Sequence, residues 1–398
     1  MTAYDHRYDP AHAHPFARTD RSPLGVWWWT TDRMLLGAVT VLIALGVMLS
    51  FAASPSAAAR LRIGPPFYFA IRQCAFGVGA VGILVGASVL SPRGIRRLAV
   101  AAYIVSIAIM AALPFLNHGG LKGADRWLSL AGMTVQPSEF MKPALVVLAA
   151  WMFSESQKGE GVPGVSIAFV LYLIAVVLLL RQPDIGQTLL LTIAFAAAFF
   201  VAGVPVLWMV GLLGTAGLGF VVIYFTYGHV SARVHTFLAT NAGLGGQVDK
   251  ASAAIRHGGL FGVGPGEGVL KRGVPEAHTD FIYSVAAEEY GFVFSLFLIG
   301  LFAFVVLRGL YRAMKLDDVF EQVAAAGLFV LLGQQVLINM AVNLNIIPTK
   351  GMTLPFISYG GSSMLAMGLT MGMALALVRR RPRPLATDYF TDQTARVA

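Results

Sequence analysis

The sequence predicts an all-α integral membrane protein of about ten transmembrane helices, and three observations carry that prediction. The 398 residues are 57% hydrophobic and only 12% charged, with a mean hydropathy of +0.71, whereas soluble domains carry about a quarter charged residues. Apolar runs of the size a bilayer requires, roughly 20 residues, recur along nearly the whole chain. Basic residues gather in short tracts beside those runs, the usual pattern of loops held on the cytoplasmic face.

The runs fall at 33–53, 67–90, 98–116, 137–153, 164–181, 185–203, 206–226, 282–307, 321–342 and 362–378. Arg93, Arg96 and Arg97 follow the second, Arg308, Arg312 and Lys315 the eighth, and RRRPR, starting at Arg379, the tenth. An even number of spans separates these tracts, so all three share one face, and the positive-inside bias makes that face and both termini cytoplasmic. Arg60 and Arg62 weaken the bias without reversing it, and Trp27, Trp28 and Trp29 fit an aromatic belt at the inner interface. The expected organisation is a tail over 1–32, a membrane domain over 33–378 and a tail over 379–398. One large extracytoplasmic loop, 227–281, joins helices 7 and 8.

The first 26 residues are polar, include acids and predict no cleavable signal. One cysteine, Cys74, excludes an intramolecular disulfide. The net charge of +9 and pI near 9.8 taken alone suggest nucleic acid, but basic tracts flanking apolar runs predict membrane lipid as the partner and no nucleic acid. Three substantial segments then face outward: 117–136, 227–281 and 343–361. Polar residues with chemical potential collect there.

Within the stretch PEAHTDFIYSVAAEEYG, from Pro275 to Gly291, Asp280 has two compatible readings. Thr279 or Asp280 caps the helix starting near Phe281, or Asp280 is a general base at the mouth of a membrane cavity, where partial desolvation favours proton uptake. Glu288 and Glu289 lie about 12 Å further along that helix; they are structural intramembrane hydrogen-bonding groups or a proton relay. His278 and Asp280, with Glu276 nearby, form no firm metal site, although a loosely bound magnesium or manganese bridging a phosphate is compatible with them. Glu139 and Lys142, three apart in QPSEFMKP, share a helix face as a clasp or as the wall of a polar cavity. Trp127 is a belt residue or an aromatic platform for a sugar ring, with Arg126 before it as an anion contact. GGLFGVGPGEG at 258–268 lacks the GK[ST] ending of a phosphate loop and reads as a tightly folded loop, while Arg233, Arg256, Lys271 and Arg272 offer cations to a pyrophosphate. PTKGMTLPFISYGGSS, with Lys350 as its one charge and hydroxyls such as Ser358, reads as a cavity wall.

Three of these segments, GADRWLSLAGMTVQPSEFMKP, PEAHTDFIYSVAAEEYG and NIIPTKGMTLPFISYGGSS, occur in this order. Together they resemble the SEDS family (shape, elongation, division and sporulation proteins), and the third points to its cell-division branch. The likeness covers nearly all of 30–380. It implies a ten-helix membrane enzyme that polymerises lipid II, the undecaprenyl-pyrophosphate-linked disaccharide pentapeptide, into peptidoglycan on the outer face of the cytoplasmic membrane. It also implies Asp280 as the essential residue, supporting roles for Trp127, Glu139 and Lys142, and as partners a class B penicillin-binding transpeptidase and divisome proteins. The chain departs from the family in reading QPDIGQ from Gln182 to Gln187 where relatives often have EPDFGT, in keeping only Arg233 at the start of the large loop, and in its Gly-rich segment.

Overall fold

The computed structural model describes residues 22–116, 126–130, 133–159, 161–204, 206–226, 228, 231–232, 235, 246–348 and 351–380. Two of the predicted site residues, Arg233 and Lys350, lie outside the described residues. Each of the ten apolar runs is a helix: α2 (Arg33–Leu61), α3 (Tyr68–Val89), α4 (Pro92–Leu116), α5 (Pro137–Gln157), α6 (Gly164–Arg181), α7 (Ile185–Val201), α8 (Val206–Thr226), α10 (Ile282–Ala313), α11 (Val319–Asn343) and α12 (Gly361–Leu377). Outside those runs the described residues include the helices α1 (Pro23–Thr30) and, in the large loop, α9 (Gln247–His257). Of the ten, α2, α3, α4, α6, α10 and α11 are long and apolar enough to cross a membrane by themselves. The helical fold carries one short antiparallel hairpin, β1 (Leu128–Leu130) and β2 (Met133–Val135), with Leu128 opposite Val135. Helix ends overrun the apolar runs where the flanking sequence favours helix. Thus α2 continues past residue 53 through the alanine-rich ASPSAAARL, because alanine is the best helix former.

Helix α11 is the core of the bundle: 83% of its apolar window is buried, against 28% for α4, α6 and α10. It packs against α5, α7, α10 and α12. Helices α3 and α12 meet backbone to backbone. A Cβ on Gly368 would lie 2.5 Å from the Ala80 carbonyl oxygen, and one on Gly372 2.7 Å from that of Leu84, so small residues bring about this contact, as they do between membrane helices generally.

At one end of the bundle the charged tracts converge. Asp32 caps α2 by accepting from the Met34 and Leu35 amides, and its carboxylate also accepts from Arg308 (Nη2–Oδ2, 2.9 Å) and Arg312 (Nε–Oδ2, 2.8 Å) at the end of α10. Arg379 donates to the Ser88 and Val89 carbonyls at the end of α3. Arg96, at the start of α4, lies over the Phe320 ring of α11. Three arginine tracts assigned to one face from spacing alone are thus gathered at one end.

Helix α10 is two helices joined at Gly291, whose φ of 81° is non-helical. A Cβ there would lie 2.3 Å from the Gly262 nitrogen. The Gly-rich segment fills the break as a strap: the Val263 and Gly264 amides donate to the Glu288 and Glu289 carbonyls, and the Phe292 and Val293 amides donate to Gly259 and Leu260. The backbone groups that a helix break would leave unpaired are thereby satisfied, as they must be at membrane depth.

Candidate active site

The end of the bundle opposite the arginine tracts is built from two non-helical segments, 274–281 and 351–360, which lock together chiefly through backbone groups. The Tyr359 amide donates to the His278 carbonyl at 2.9 Å. Ser358 Oγ donates to the Thr279 carbonyl at 2.5 Å and accepts from the Leu354 amide at 2.7 Å, so this buried hydroxyl staples the two segments. Asn339 and Asn343, one turn apart on α11, both donate to the Asp280 carbonyl, at 2.9 and 3.0 Å. Asn339 also donates to the Met352 carbonyl, and Gln73 of α3 to that of Ser358. The Asp280 main chain is therefore gripped from the core helix, and Oδ2 of its half-buried carboxylate lies 3.6 Å from where a Gly351 Cβ would sit.

Each segment contains a non-glycine residue in the left-handed region, Glu276 (φ 56°) and Phe356 (φ 63°). Such residues cost about 1–2 kcal/mol each and persist only where the surroundings over-determine them, which is common at functional sites. The N-cap of α10 falls on Phe281, which has no capping oxygen; neither Thr279 nor Asp280 holds the N-cap position that the sequence offered them.

His278 packs against Phe69 in a tilted arrangement, with ring centroids 4.5 Å apart, and lies near Tyr359 at 5.8 Å. Among the described residues no three His, Cys, Asp or Glu side chains come together as a metal-ligand set. Asp280 and His278 would supply two protein ligands at most to a divalent cation, too few to hold one without substrate oxygens. A cavity of about 270 Å³ opens beside the turn, lined by Arg60, Lys271, Arg272, Glu276, His278 and Thr279 among others.

Glu288 and Glu289 are fully buried. Glu288 accepts from the Leu270 and Lys271 amides at 2.8 and 2.7 Å and lies 3.1 Å from His257 Nδ1. Glu289 pairs with the buried Lys271 ammonium, which also donates to the Ala52 carbonyl. Lys271, expected at a pyrophosphate, is thus engaged inside the protein, where it holds the strap to α10 and α2.

A second polar cluster closes the α5–α7 contact. Lys142 Nζ donates to Glu139 Oε2 at 3.0 Å and to Gln187 Oε1 at 2.6 Å, while Gln187 Nε2 donates to Glu139 Oε1 at 2.6 Å. All three are buried. Beside them Asp184 caps α7 and accepts from Gln136 at 3.1 Å; burial raises its carboxyl above the ordinary range against the charge of Arg126. Arg126 donates to the Gln182 and Pro183 carbonyls and lies 3.8 Å from Asp184. It ties the hairpin, and with it the exposed Trp127, to the turn before α7. The residues the sequence reading missed are Asn339, Asn343, Gln73 and the bridging position of Gln187. Amides spaced four apart inside an apolar run are the signal that could have found the first two.

A family profile described as "Cell cycle protein", covering the FtsW, RodA and SpoVE proteins, matches residues 32–382. The chain belongs to this family. Within the FtsW/RodA/SpoVE family it is 67% identical over 369 residues to a protein of Caulobacter vibrioides named "Probable peptidoglycan glycosyltransferase FtsW", covering 93% of this chain and 94% of that one. It is 37% identical to a protein of the same name from Trichlorobacter lovleyi, over 86% and 92% of the two chains. Among solved structures, a chain of a peptidoglycan synthase complex, described as coordinating polymerization and crosslinking, superposes with a TM-score of 0.73 at 28% identity, covering 88% of this chain and 98% of that one. The rod shape determining protein RodA of Thermus thermophilus superposes at 0.65 with 27% identity, over 88% and 97%. The family is that to which the three motifs pointed, and the protein is a multi-pass membrane protein of the FtsW type.

Proposed function

We propose that this chain is a peptidoglycan glycosyltransferase that polymerises lipid II on the outer face of the cytoplasmic membrane during septal wall synthesis, with Asp280 as general base. The observation that carries the proposal is the grip on the Asp280 carbonyl by Asn339 and Asn343, two amides of the core helix. It fixes the position of the side chain through the main chain, as a base that must meet a hydroxyl within hydrogen-bond reach requires. Asp280 takes the proton from the 4-hydroxyl of the acceptor sugar, whose oxygen attacks the anomeric carbon of the donor, and the lipid pyrophosphate leaves with the bonding electrons. Trp127 offers its exposed face to a sugar ring. The Glu139–Lys142–Gln187 cluster keeps the adjoining wall in shape.

Ten spans with both termini cytoplasmic agree with the gathering of the arginine tracts at the end opposite Asp280. The likeness to a chain of a peptidoglycan synthase complex supports a transpeptidase partner. Lipid II transport without polymerisation fits less well, because Glu288 and Glu289, the relay it would use, are committed to Lys271 and to loop amides.

Replacing Asp280 with Asn removes the base at nearly constant size. Protein reconstituted with its partner and given lipid II on the outer side is expected to lose polymerisation by at least about 100-fold, the lower end of what a general base contributes, while its melting temperature holds. Polymer formed at the normal rate by the Asn variant would reject the assignment.

A further inference from the structure

The cavity beside the Asp280 turn contains two arginines that neither packing nor ion pairing explains. Arg60, at the C-terminal end of α2, is exposed and places one hydrogen bond on the Arg272 carbonyl at 3.2 Å. Among the described residues that is its one hydrogen bond, and the exposed Arg272 guanidinium makes neither a hydrogen bond nor an ion pair. Several other basic groups behave differently. Lys142, Lys271 and Arg126 each lie against a carboxylate, as do Arg308 and Arg312 at the far end.

A guanidinium with most of its five N–H donors uncommitted is matched geometrically to phosphate oxygens. The same cavity wall runs through Glu276, Ala277, His278 and Thr279, the residue immediately before Asp280. Arg60 also lies in the last turn of α2, a helix long and apolar enough to cross a membrane. An anion recognised there sits at the bilayer edge, where a phosphate must be if its hydrocarbon chain stays in lipid.

We infer that Arg60 and Arg272 hold the diphosphate of a polyprenyl-linked sugar, the leaving group of the glycosyl donor. The inference rests on the glycosyltransferase reading and deepens it. As the acceptor oxygen bonds to the anomeric carbon, the bond from that carbon to the diphosphate oxygen breaks, and the electron pair goes with the diphosphate. The two guanidiniums offset that developing charge, while the acceptor's proton passes to Asp280. Lys271 takes no part, since Glu289 neutralises it.

The test uses the full chain in phosphatidylcholine nanodiscs and measures farnesyl diphosphate binding by calorimetry, in the wild type and in the Asp280→Asn background. Arg60→Gln with Arg272→Gln is expected to weaken binding by about tenfold or more, as loss of charged hydrogen bonds does, in both backgrounds. Lysine at both positions is expected to restore most of it, and the Gln pair should raise the KM for lipid II and lower kcat as well, because the guanidiniums hold both the bound diphosphate and the charge it gains on leaving. Arg272→Gln alone, at a side chain that supports no described contact, keeps the measurement independent of folding. Unchanged affinity in the Gln variants overturns the inference. Equal binding of farnesyl monophosphate also overturns it, and so does full competition by phosphatidylglycerol, which would mark a phospholipid headgroup site. Unchanged affinity in a protein that still polymerises lipid II removes this inference alone. Weakened affinity in a protein that never polymerises keeps the diphosphate site and removes the glycosyltransferase reading.

Discussion

Lys142 and Lys271 are both ammonium groups buried among carboxylates, yet their partners come from very different distances along the chain. Lys142 meets Glu139 one turn away on its own helix, and Gln187 of α7 bridges the two. Lys271 meets Glu289, eighteen residues on, and the Ala52 carbonyl of α2. The first arrangement shapes a wall between helices. The second folds a long loop onto α10 and so sets the turn that carries Asp280. Burying a pair of charges gives little net stability, whereas removing one partner leaves the other uncompensated at a cost of about 3–5 kcal/mol.

The comparison predicts an order of effects. Glu289→Gln leaves Lys271 with the Ala52 carbonyl and should cost the full amount, lowering the melting temperature and polymerisation together. Glu139→Gln is expected to cost less, about 2 kcal/mol, because the Gln187 oxygen remains as an acceptor for Lys142. Thermal melts of the two variants in one detergent decide the matter, and equal losses would erase the distinction. Between these two in size, Gly291→Ala should cost more than about 2 kcal/mol through its left-handed φ and its contact with Gly262, and should increase hydrogen exchange over 258–264. If exchange there is unchanged, the strap does not depend on the break.

The smallest effect belongs to the opposite end of the bundle. Burial pushes the Asp32 carboxyl up, but the hydrogen bond from Arg308, the Leu35 amide and the charges of Arg308 and Arg312 outweigh it and hold its pKa below the ordinary value. A carboxyl depressed in the folded state contributes stability that is fully present above about pH 4, its unfolded pKa. That contribution fades as the pH falls through the lower folded value. Both arginines are partly exposed, so the contribution is about 1 kcal/mol. Asp32→Asn should therefore lower the melting temperature slightly at pH 7 and flatten its fall below pH 4.

Each apolar run in the sequence coincides with a helix, because runs of bilayer length record a solvent requirement that no tertiary contact overrides. It also placed the Glu139–Lys142 pair and Asp280, whose signals are local. It did not show that Gln187 bridges that pair, that Lys271 is spent on Glu289, or that Asn339 and Asn343 hold Asp280, since each of these depends on which distant helix lies alongside. The hairpin around Leu128 and helix α9 escaped for another reason: both are short and lack the apolar length that marked the rest. Ser358 was expected in a cavity wall, and it staples two loops there, a link that only the fold reveals.

The strap that fills the break in α10 is joined to it largely without side chains. A Cβ on Gly258 would lie 1.9 Å from the Ala287 carbonyl oxygen of α10, and one on Gly262 would lie 2.1 Å from that of Glu289, whereas Leu260 and Phe261 between them are exposed. Tolerance to substitution is therefore inverted along this segment. The positions with nothing to lose in side-chain chemistry are the least replaceable, and the large hydrophobic residues beside them are free to drift. In a saturation library the strap would appear as alternating fixed and variable positions, a pattern set by backbone proximity instead of by the chemistry of any residue.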